Sequence, residues 1–360
     1  MISVSVARAR IRYPIRVTPG ILARAGDVTL GIRDSGKVLV VTDRTVARLY
    51  GARFLASLRR AGFTPHAIAL PPGERTKTLA SVRRLCERWA RWEVDRSALV
   101  LALGGGVVSD IAGFAAAAYA RGLDWAVFPT TLLAQADAGI GGKVGINLPL
   151  GKNLLGALHH PRGVFCDPDA LRTLPPRAFR SGLAEIVKIG VIRRPALLAS
   201  LRRLARNGGP GPVTSLIRAA ATEKAWYVSR DPEDRGIRQH LNFGHTVGHA
   251  LEASYGYGRF THGEAVSIGM VAASRLSVRV AGLDPTAALG IEDLLRLLGL
   301  PVRLNRMPGP AFWSALQKDK KRGRTRLRMV LSPAIGAANT YELHSLTPLR
   351  EVITSLVQRP

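Results

Sequence analysis

Two imidazoles and a carboxylate sit in the least ordinary stretches of this sequence. Glu185 lies in Ala184-Glu185-Ile186-Val187-Lys188. His245 lies in Leu241-Asn242-Phe243-Gly244-His245-Thr246-Val247-Gly248-His249-Ala250-Leu251-Glu252, and His262 in Thr261-His262-Gly263-Glu264-Ala265. Such a set, with positions left for substrate, suits a catalytic divalent ion such as zinc. His249 follows His245 by four residues, so on a helix expected over Arg238 to Tyr255 both rings project from one face. Gly244 and Gly248 share that spacing. Each glycine costs roughly 1 kcal/mol of helix propensity against alanine, and the pairing predicts another backbone or a ligand close by. An enzyme is the first expectation.

Two different patterns must position these side chains. Lys37 to Thr42, His66 to Leu70, Ala98 to Leu103 and Trp125 to Pro129 read as short buried strands. Helical patterns run from Thr45 to Ala61, Thr78 to Arg91 and Ile111 to Tyr119. Strand–helix alternation predicts a Rossmann-like parallel sheet with helices on its faces. From Thr173-Leu174-Pro175-Pro176 onward the pattern is helical: Phe179–Ile192, Leu197–Ala205, Val213–Val228, Arg238–Tyr255, Gly263–Val280 and Thr286–Leu298. The expected fold is therefore an α/β domain over 1–174 and an all-α domain over 175–360. Asn207 to Pro212 reads as a loop between helices.

Composition narrows the function classes. At 360 residues and 47% hydrophobic, the chain can bury a large core, and disorder is excluded. No apolar run reaches the roughly 18 residues of a membrane span, and the start lacks the basic-then-apolar order of a signal peptide. Two cysteines, Cys86 and Cys166, suit a reducing cytosol. A cytoplasmic location is expected.

The formal charge of +27 raises the question of nucleic acid, but the arginines are scattered (Arg59, Arg83, Arg91, Arg177, Arg202, Arg218, Arg275), not gathered into one arm. No nucleic-acid role is expected, although the charge favours encounter with an anionic substrate. Lysine supplies only nine of the 52 basic residues: Lys37, Lys77, Lys143, Lys152, Lys188, Lys224, Lys318, Lys320 and Lys321. Where arginine is the default cation, a retained lysine points to a need for a compact ammonium or a tunable pKa.

Several lysines adjoin glycine-rich loops. Gly104-Gly105-Gly106-Val107-Val108-Ser109-Asp110 follows a strand and opens a helix, where main-chain N–H groups can meet a dinucleotide's phosphates. Ser109 stands where the dinucleotide motif has its third glycine. Asp43, ending the first expected strand, either accepts from ribose hydroxyls or caps the next helix. Gly139-Ile140-Gly141-Gly142-Lys143 lacks the Ser or Thr of a Walker loop. With Gly151-Lys152-Asn153 nearby, it suits the oxyanions of a small phosphorylated substrate. His159 and His160 read as loop residues, and Trp226, Tyr227, Tyr255 and Tyr257 as packing. Glu264 reads as a helix-start acid or, preferably, a partner of His262.

Seven blocks in order resemble the 3-dehydroquinate synthases of the sugar phosphate cyclase family. They are Pro72 to Lys77, Gly104 to Phe114, Pro129 to Gly156, Gly182 to Gly190, Asp231 to Glu252, His262 to Met270 and Asp319-Lys320-Lys321. The resemblance implies an NAD-binding α/β domain, a helical domain holding one divalent ion (zinc or cobalt), and a homodimer. It implies Glu185, His245 and His262 as metal ligands. Asp43, Glu74, Lys77, Gly105, Gly106, Asp110, Thr130, Thr131, Lys152 and Thr173 become NAD contacts. Asp137, Lys143, Asn153, Lys188, Lys224, Arg238, Asn242, His249 and Lys320 become the substrate shell, with Arg121 serving a neighbouring subunit's site.

The implied reaction turns 3-deoxy-D-arabino-heptulosonate 7-phosphate into 3-dehydroquinate and phosphate, in the shikimate route to aromatic compounds. It runs by transient oxidation, phosphate elimination in which the departing phosphate takes the proton, re-reduction and aldol closure. Ser109, Ala138-Gly139 and Asp234 depart from the family's common residues. They leave open a sibling cyclase acting on sedoheptulose 7-phosphate or an amino analogue. Lys188 and Arg238, suited to a substrate carboxylate, favour the dehydroquinate reading. A metal- and NAD-dependent polyol dehydrogenase is the more distant rival.

Overall fold

Uninterrupted apolar runs become the middle of a sheet buried on both faces. The computed structural model describes residues 2–6, 11–34, 36–207, 213–256, 259–318 and 326–358. Strands β1 (Ile2–Val6), β2 (Ile11–Val17), β3 (Lys37–Asp43), β4 (Thr64–Leu70), β5 (Leu99–Gly104), β6 (Asp124–Pro129) and, after a separate hairpin of β7 (Lys143–Leu148) and β8 (Gly151–Leu158), β9 (Val164–Cys166) are formed. Seven of them make one sheet in the order β1-β2-β9-β6-β5-β3-β4, parallel except for β1 against β2. Val38 to Val41, Leu99 to Leu103 and Ala126 to Phe128 are at most 2% exposed. Helices α1 (Ala25–Leu30), α2 (Arg44–Val46) and α3 (Ala52–Arg60) accompany α4 (Leu79–Arg91) and α5 (Gly106–Ala118). Ala25, Val28, Phe54 and Leu58 pack on the face bearing Val38, Val40, Leu101 and Phe128.

The helix expected over Thr45–Ala61 is interrupted by a π-helical turn at Ala47–Gly51. The strands β1, β2, β7, β8 and β9 were not legible from alternation. In the hairpin the reason is glycine: a Cβ on Gly156 would lie 2.2 Å from the Val144 carbonyl oxygen.

The second half is helical, with one added hairpin. It contains α6 (Pro176–Ile192), α7 (Ala196–Asn207), α8 (Val213–Arg230), α9 (His245–Tyr255), α10 (His262–Val280), α11 (Pro285–Leu297), α12 (Pro310–Lys318) and α13 (Thr347–Leu356). Strands β10 (Leu327–Leu331) and β11 (Asn339–Leu343) pair antiparallel, a feature the all-α expectation lacked. The single helix expected over Arg238–Tyr255 is instead a 3-10 turn at Ile237–Asn242, then Phe243, then Gly244 at φ +79°, then α9. A Cβ on Gly244 would meet Met270 Cγ at 2.7 Å, and one on Gly248 would meet Val266 Cα at 3.2 Å. The glycines therefore mark close approach of α10.

The chain divides into two compact units, Met1–Leu174 with Lys224–Glu233, and Pro175–Glu223 with Asp234–Pro360. The last two turns of α8 thus count with the sheet rather than with the other helices. The expected loop at 208–212, Tyr257, and the Asp319-Lys320-Lys321 block fall outside the described residues.

Candidate active site

In the first unit the chain order reverses between β3 and β5. From β3 the chain moves outward to β4, then returns across β3 to β5 and β6. Ligands of open parallel sheets bind at the carboxyl ends of strands beside such a reversal. Asp43 ends β3, Gly104 ends β5, and Gly105 begins the turn into α5 without any side-chain cap. Glu74 and Lys77 follow β4, and Thr130 and Thr131 follow β6. These residues thus come from four adjacent strand ends, leaving the uncapped N-terminus of α5 as an anion site.

Sterics explain the small residues here. A Cβ on Gly105 would lie 2.9 Å from Thr131 Cγ2, and one on Gly106 would sit 3.4 Å from Ala138 Cβ. Gly139 is required because a Cβ would fall 2.7 Å from the Ala134 carbonyl oxygen. Ser109 is buried and donates to the Gly106 carbonyl at 3.0 Å, so it serves the helix start where the motif has glycine. Asp43 Oδ1 accepts from the N–H groups of Thr45 and Val46 at 2.8 and 3.0 Å, the capping role. Thr173 shares a 2.5 Å hydrogen bond with Tyr50.

A polar network joins these ends to the β7–β8 hairpin. Lys77, 4% exposed, ion-pairs with Asp110 and donates to Asn153 Oδ1 at 2.5 Å. Asn147 Nδ2 donates to Glu74 Oε1 at 2.7 Å, Asn153 N donates to Asn147 Oδ1 at 3.0 Å, and Lys152 Nζ is 3.9 Å from Glu74 Oε1. Burial raises the Asp110 carboxyl to about 6 against the pull of Lys77. Lys224, in the last turns of α8, ion-pairs with Asp137. Lys143 is exposed at the start of β7, and Asn153 holds φ +55°.

In the second unit Glu185 on α6 faces the first residues of α9 and α10. His245 Nε2 and His262 Nε2 lie 3.6 and 3.4 Å from Glu185 Oε1, and one donor atom from each residue falls within 4.8 Å of the others. Glu185 is 1% exposed; its Oε2 is ion-paired to Lys188, while Oε1, the oxygen nearest both imidazoles, has no well-aligned donor. A buried carboxylate in that condition is costly unless a cation completes it. The donor set and the under-satisfied Oε1 fit a divalent ion.

Ring orientation agrees. His245 Nδ1 donates to the Phe243 carbonyl at 3.2 Å, which leaves the Nε2 lone pair toward Glu185. Burial, then Lys188 and the neighbouring imidazoles, hold His245 well below the usual histidine range, in the neutral form a metal needs. At His262 burial acts the same way, but Glu185 and Glu252 outweigh it and raise the ring to about 9. Proton and cation compete for that nitrogen.

His249 is exposed, its ring centroid 5.3 Å from that of His245 and 5.9 Å from that of His262. Arg238 is buried and Asn242 exposed, both in the 3-10 turn before α9. Arg121 stands exposed after α5 at φ +66°. Asp234 holds φ +59°, a conformation that a short acidic side chain tolerates.

Glu264 is not the partner of His262. Its side chain closes a capping box with Thr261 and pairs with Arg177 at 2.7 Å. The carboxylate near His262 is Glu252, whose Oε2 lies 3.5 Å from Nδ1. Its spacing, seven residues after His245 and three after His249, was the available signal. His159 is structural, stacked on Trp125 and bonded to the Leu123 carbonyl at 2.8 Å.

Residues 67–181 match the family described as 3-dehydroquinate synthase N-terminal, and 182–322 that described as 3-dehydroquinate synthase C-terminal. The chain is 42% identical over 359 residues to a 3-dehydroquinate synthase of Gloeobacter violaceus, covering 99% of each. Among solved structures, ValA (2-epi-5-epi-valiolone synthase) from Streptomyces hygroscopicus subsp. jinggangensis 5008, with NAD+ and Zn2+ bound, aligns at TM-score 0.86 and 31% identity, covering 96% of this chain and 97% of that one. A 2-deoxy-scyllo-inosose synthase complexed with carbaglucose-6-phosphate, NAD+ and Co2+ shares the fold at TM-score 0.85 and 24% identity, covering 99% of each. By the match of both halves and by identity along nearly its full length, the chain belongs to the 3-dehydroquinate synthase family.

Proposed function

We propose that this chain closes 3-deoxy-D-arabino-heptulosonate 7-phosphate to 3-dehydroquinate with release of phosphate, using resident NAD and one divalent ion, zinc or cobalt. The observation that carries the reading is the convergence of Glu185, His245 and His262 beside the buried cation Lys188. The NAD+ with Zn2+ or Co2+ in the two structural relatives supports the cofactor assignment. Residues 1–174 supply the nucleotide site, and residues 175–360 the metal and most of the substrate shell.

Bound NAD would take up and return a hydride, and a bound divalent ion would acidify the hydroxyls it holds. Glu185, His245 and His262 hold the ion, while Asp43, Glu74, Lys77, Gly104, Gly105, Gly106, Asp110, Thr130, Thr131, Lys152 and Thr173 form the nucleotide site. Lys143, Lys188, Lys224 and Arg238, with Lys320, bind the substrate's carboxylate and phosphate and stabilise developing oxyanions. Asp137 orients Lys224 through their ion pair. Asn153 and Asn242 hydrogen-bond substrate hydroxyls, and His249, one turn beyond a ligand, hydrogen-bonds substrate or moves a proton. The departing phosphate takes the proton at the elimination, so no separate protein base is needed.

A homodimer is part of this reading, with Arg121 reaching the partner copy's site. Leu150, Leu154, Leu155 and Leu158, all exposed on or beside β8, support a self-association face. Light scattering that gives only monomer at micromolar concentration would remove that element.

A sibling cyclase is disfavoured by identity, 42% to the synthase against 31% to the valiolone synthase. The deciding experiment supplies NAD, Co2+ and, separately, the heptulosonate and sedoheptulose phosphates, then measures inorganic phosphate and NADH. Phosphate release with the heptulosonate and no accumulated NADH is expected. Release only with sedoheptulose phosphate, or stoichiometric NADH, overturns the reading.

A further inference from the structure

We propose that Glu252 is a positioning residue for the metal centre: its carboxylate, within ion-pair reach of His262 Nδ1, takes that proton in a hydrogen bond when a cation occupies the site and so commits Nε2 to the cation. The inference rests on the metal reading above and adds a residue to it. α9 begins at His245, and Glu252 lies two turns further on the same face. It is 4% exposed, and its Oε2 lies 3.5 Å from His262 Nδ1. On the opposite side of that ring, Nε2 lies 3.4 Å from Glu185 Oε1. One imidazole thus bridges two buried carboxylates, of which one belongs to the metal set and the other does not.

The two histidines are oriented by unlike acceptors. His245 is fixed by a main-chain carbonyl, the Phe243 oxygen at 3.2 Å, which no side-chain substitution removes. At His262 Nδ1 the neighbouring acceptor is instead a side chain, Glu252 Oε2 at 3.5 Å. A charged acceptor also makes the imidazole a better donor to a metal than a neutral one does. His262 is in addition the first residue of α10, where no preceding helical turn restrains its ring. The metal site therefore has one ligand set by backbone and one set by Glu252.

His249, Glu252 and His262 also fall within 4.8 Å of one another, which makes direct ligation by Glu252 the competing arrangement. The test uses Co2+ alone on metal-stripped protein, with affinity from chelator competition and the visible ligand-field bands of the bound ion. Glu252→Ala should weaken Co2+ binding about 10–100-fold. Glu252→Gln, which keeps an acceptor without charge, should fall between parent and alanine. Both should keep the band positions of the parent, because the ligands are unchanged. Urea unfolding of the metal-free proteins checks folding, and the glutamine variant carries the test if alanine does not fold. Co2+ affinity within about 3-fold of parent for both variants overturns the proposal, as do shifted bands, which would make Glu252 a ligand. A parent that binds no Co2+ fails the metal reading itself; equal binding by parent and variants fails only this inference.

Discussion

Gly244 and Gly256 flank α9, both at positive φ (+79° and +81°) but at ψ −18° and 142°, so only Gly244 lies in the left-handed helical region, and the pair separates steric crowding from backbone cost. Alanine at Gly244 pays the left-handed penalty of roughly 1–2 kcal/mol, and alanine at Gly256, in a region that glycine alone adopts readily, about 1–3 kcal/mol. Around Gly256 a Cβ meets nothing within 4 Å. Around Gly244 it would lie 2.7 Å from Met270 Cγ, 2.8 Å from Met270 N and 3.0 Å from the Val266 carbonyl oxygen. Two of those atoms are backbone of α10, so the contact is not relieved by a rotamer change. Forced overpacking of this kind adds roughly 1–3 kcal/mol. Gly256→Ala should therefore lose about 1–3 kcal/mol and Gly244→Ala about 2–5 kcal/mol in urea unfolding of the metal-free protein. Because His245 is the next residue, Gly244→Ala should also weaken Co2+ binding, while Gly256→Ala leaves it within about 2-fold. Full Co2+ affinity in Gly244→Ala, or an equal loss of Co2+ affinity in Gly256→Ala, would refute the claim that helix approach at Gly244 sets the position of the first imidazole.

Lys188→Arg keeps the charge but enlarges a head group that is 1% exposed beside Glu185, so overpacking of about 1–3 kcal/mol is expected. Phosphate release should fall at least about 100-fold, and parent-like turnover would count against the site. The Asp110 carboxyl, raised by burial to about 6 from an ordinary 3.8, is more easily protonated folded than unfolded. Its contribution to stability is therefore full below about 4 and is lost as pH rises through about 6. Lys77→Met should move that titration further up, as followed by carboxyl-carbon NMR, and a downward move would contradict the ion pair. Burial pushes the Cys166 thiol far up, so it should resist thiol reagents in native protein and react only in denaturant. Rapid native labelling at Cys166 would show the core opening readily.

The sequence made legible what repeats with a period or carries a rare residue type. Strands β3, β5 and β6 announced themselves as apolar runs because helices cover both faces, leaving no polar alternation to confuse them. Glu185, His245 and His262 were legible because a buried carboxylate and two imidazoles in glycine-marked helices have few structural uses. The break at Gly244 was hidden, since an i, i+4 glycine pair reads as one helix until a positive φ is known. The β7–β8 hairpin was hidden by its own glycines, which allow close strand approach and erase the alternation that betrays a strand. Glu264 drew attention through nearness in sequence to His262, but a capping box claimed it. Glu252 went unassigned because its target is on another helix: its spacing from His245 and His249 placed it on their face of α9 but could not name His262 as the ring it meets.

The distribution of basic residues ties composition to chemistry. Among the described residues the buried Lys and Arg side chains are Lys77, Lys188, Lys224 and Arg238. Lysine is nine of the 52 basic residues in the chain, so a blind draw would fill most buried positions with arginine. The three buried lysines face Asp110, Glu185 and Asp137, one carboxylate each. An ammonium is compact and offers three rotatable donors, whereas a guanidinium imposes a planar fork and more volume. In each pair the compact head group lets the lysine reach its carboxylate within a tightly packed setting. Lysine thus fills three of the four buried cationic positions among the described residues, each beside a carboxylate where a compact head group fits, while arginine holds the fourth, Arg238, and most of the surface.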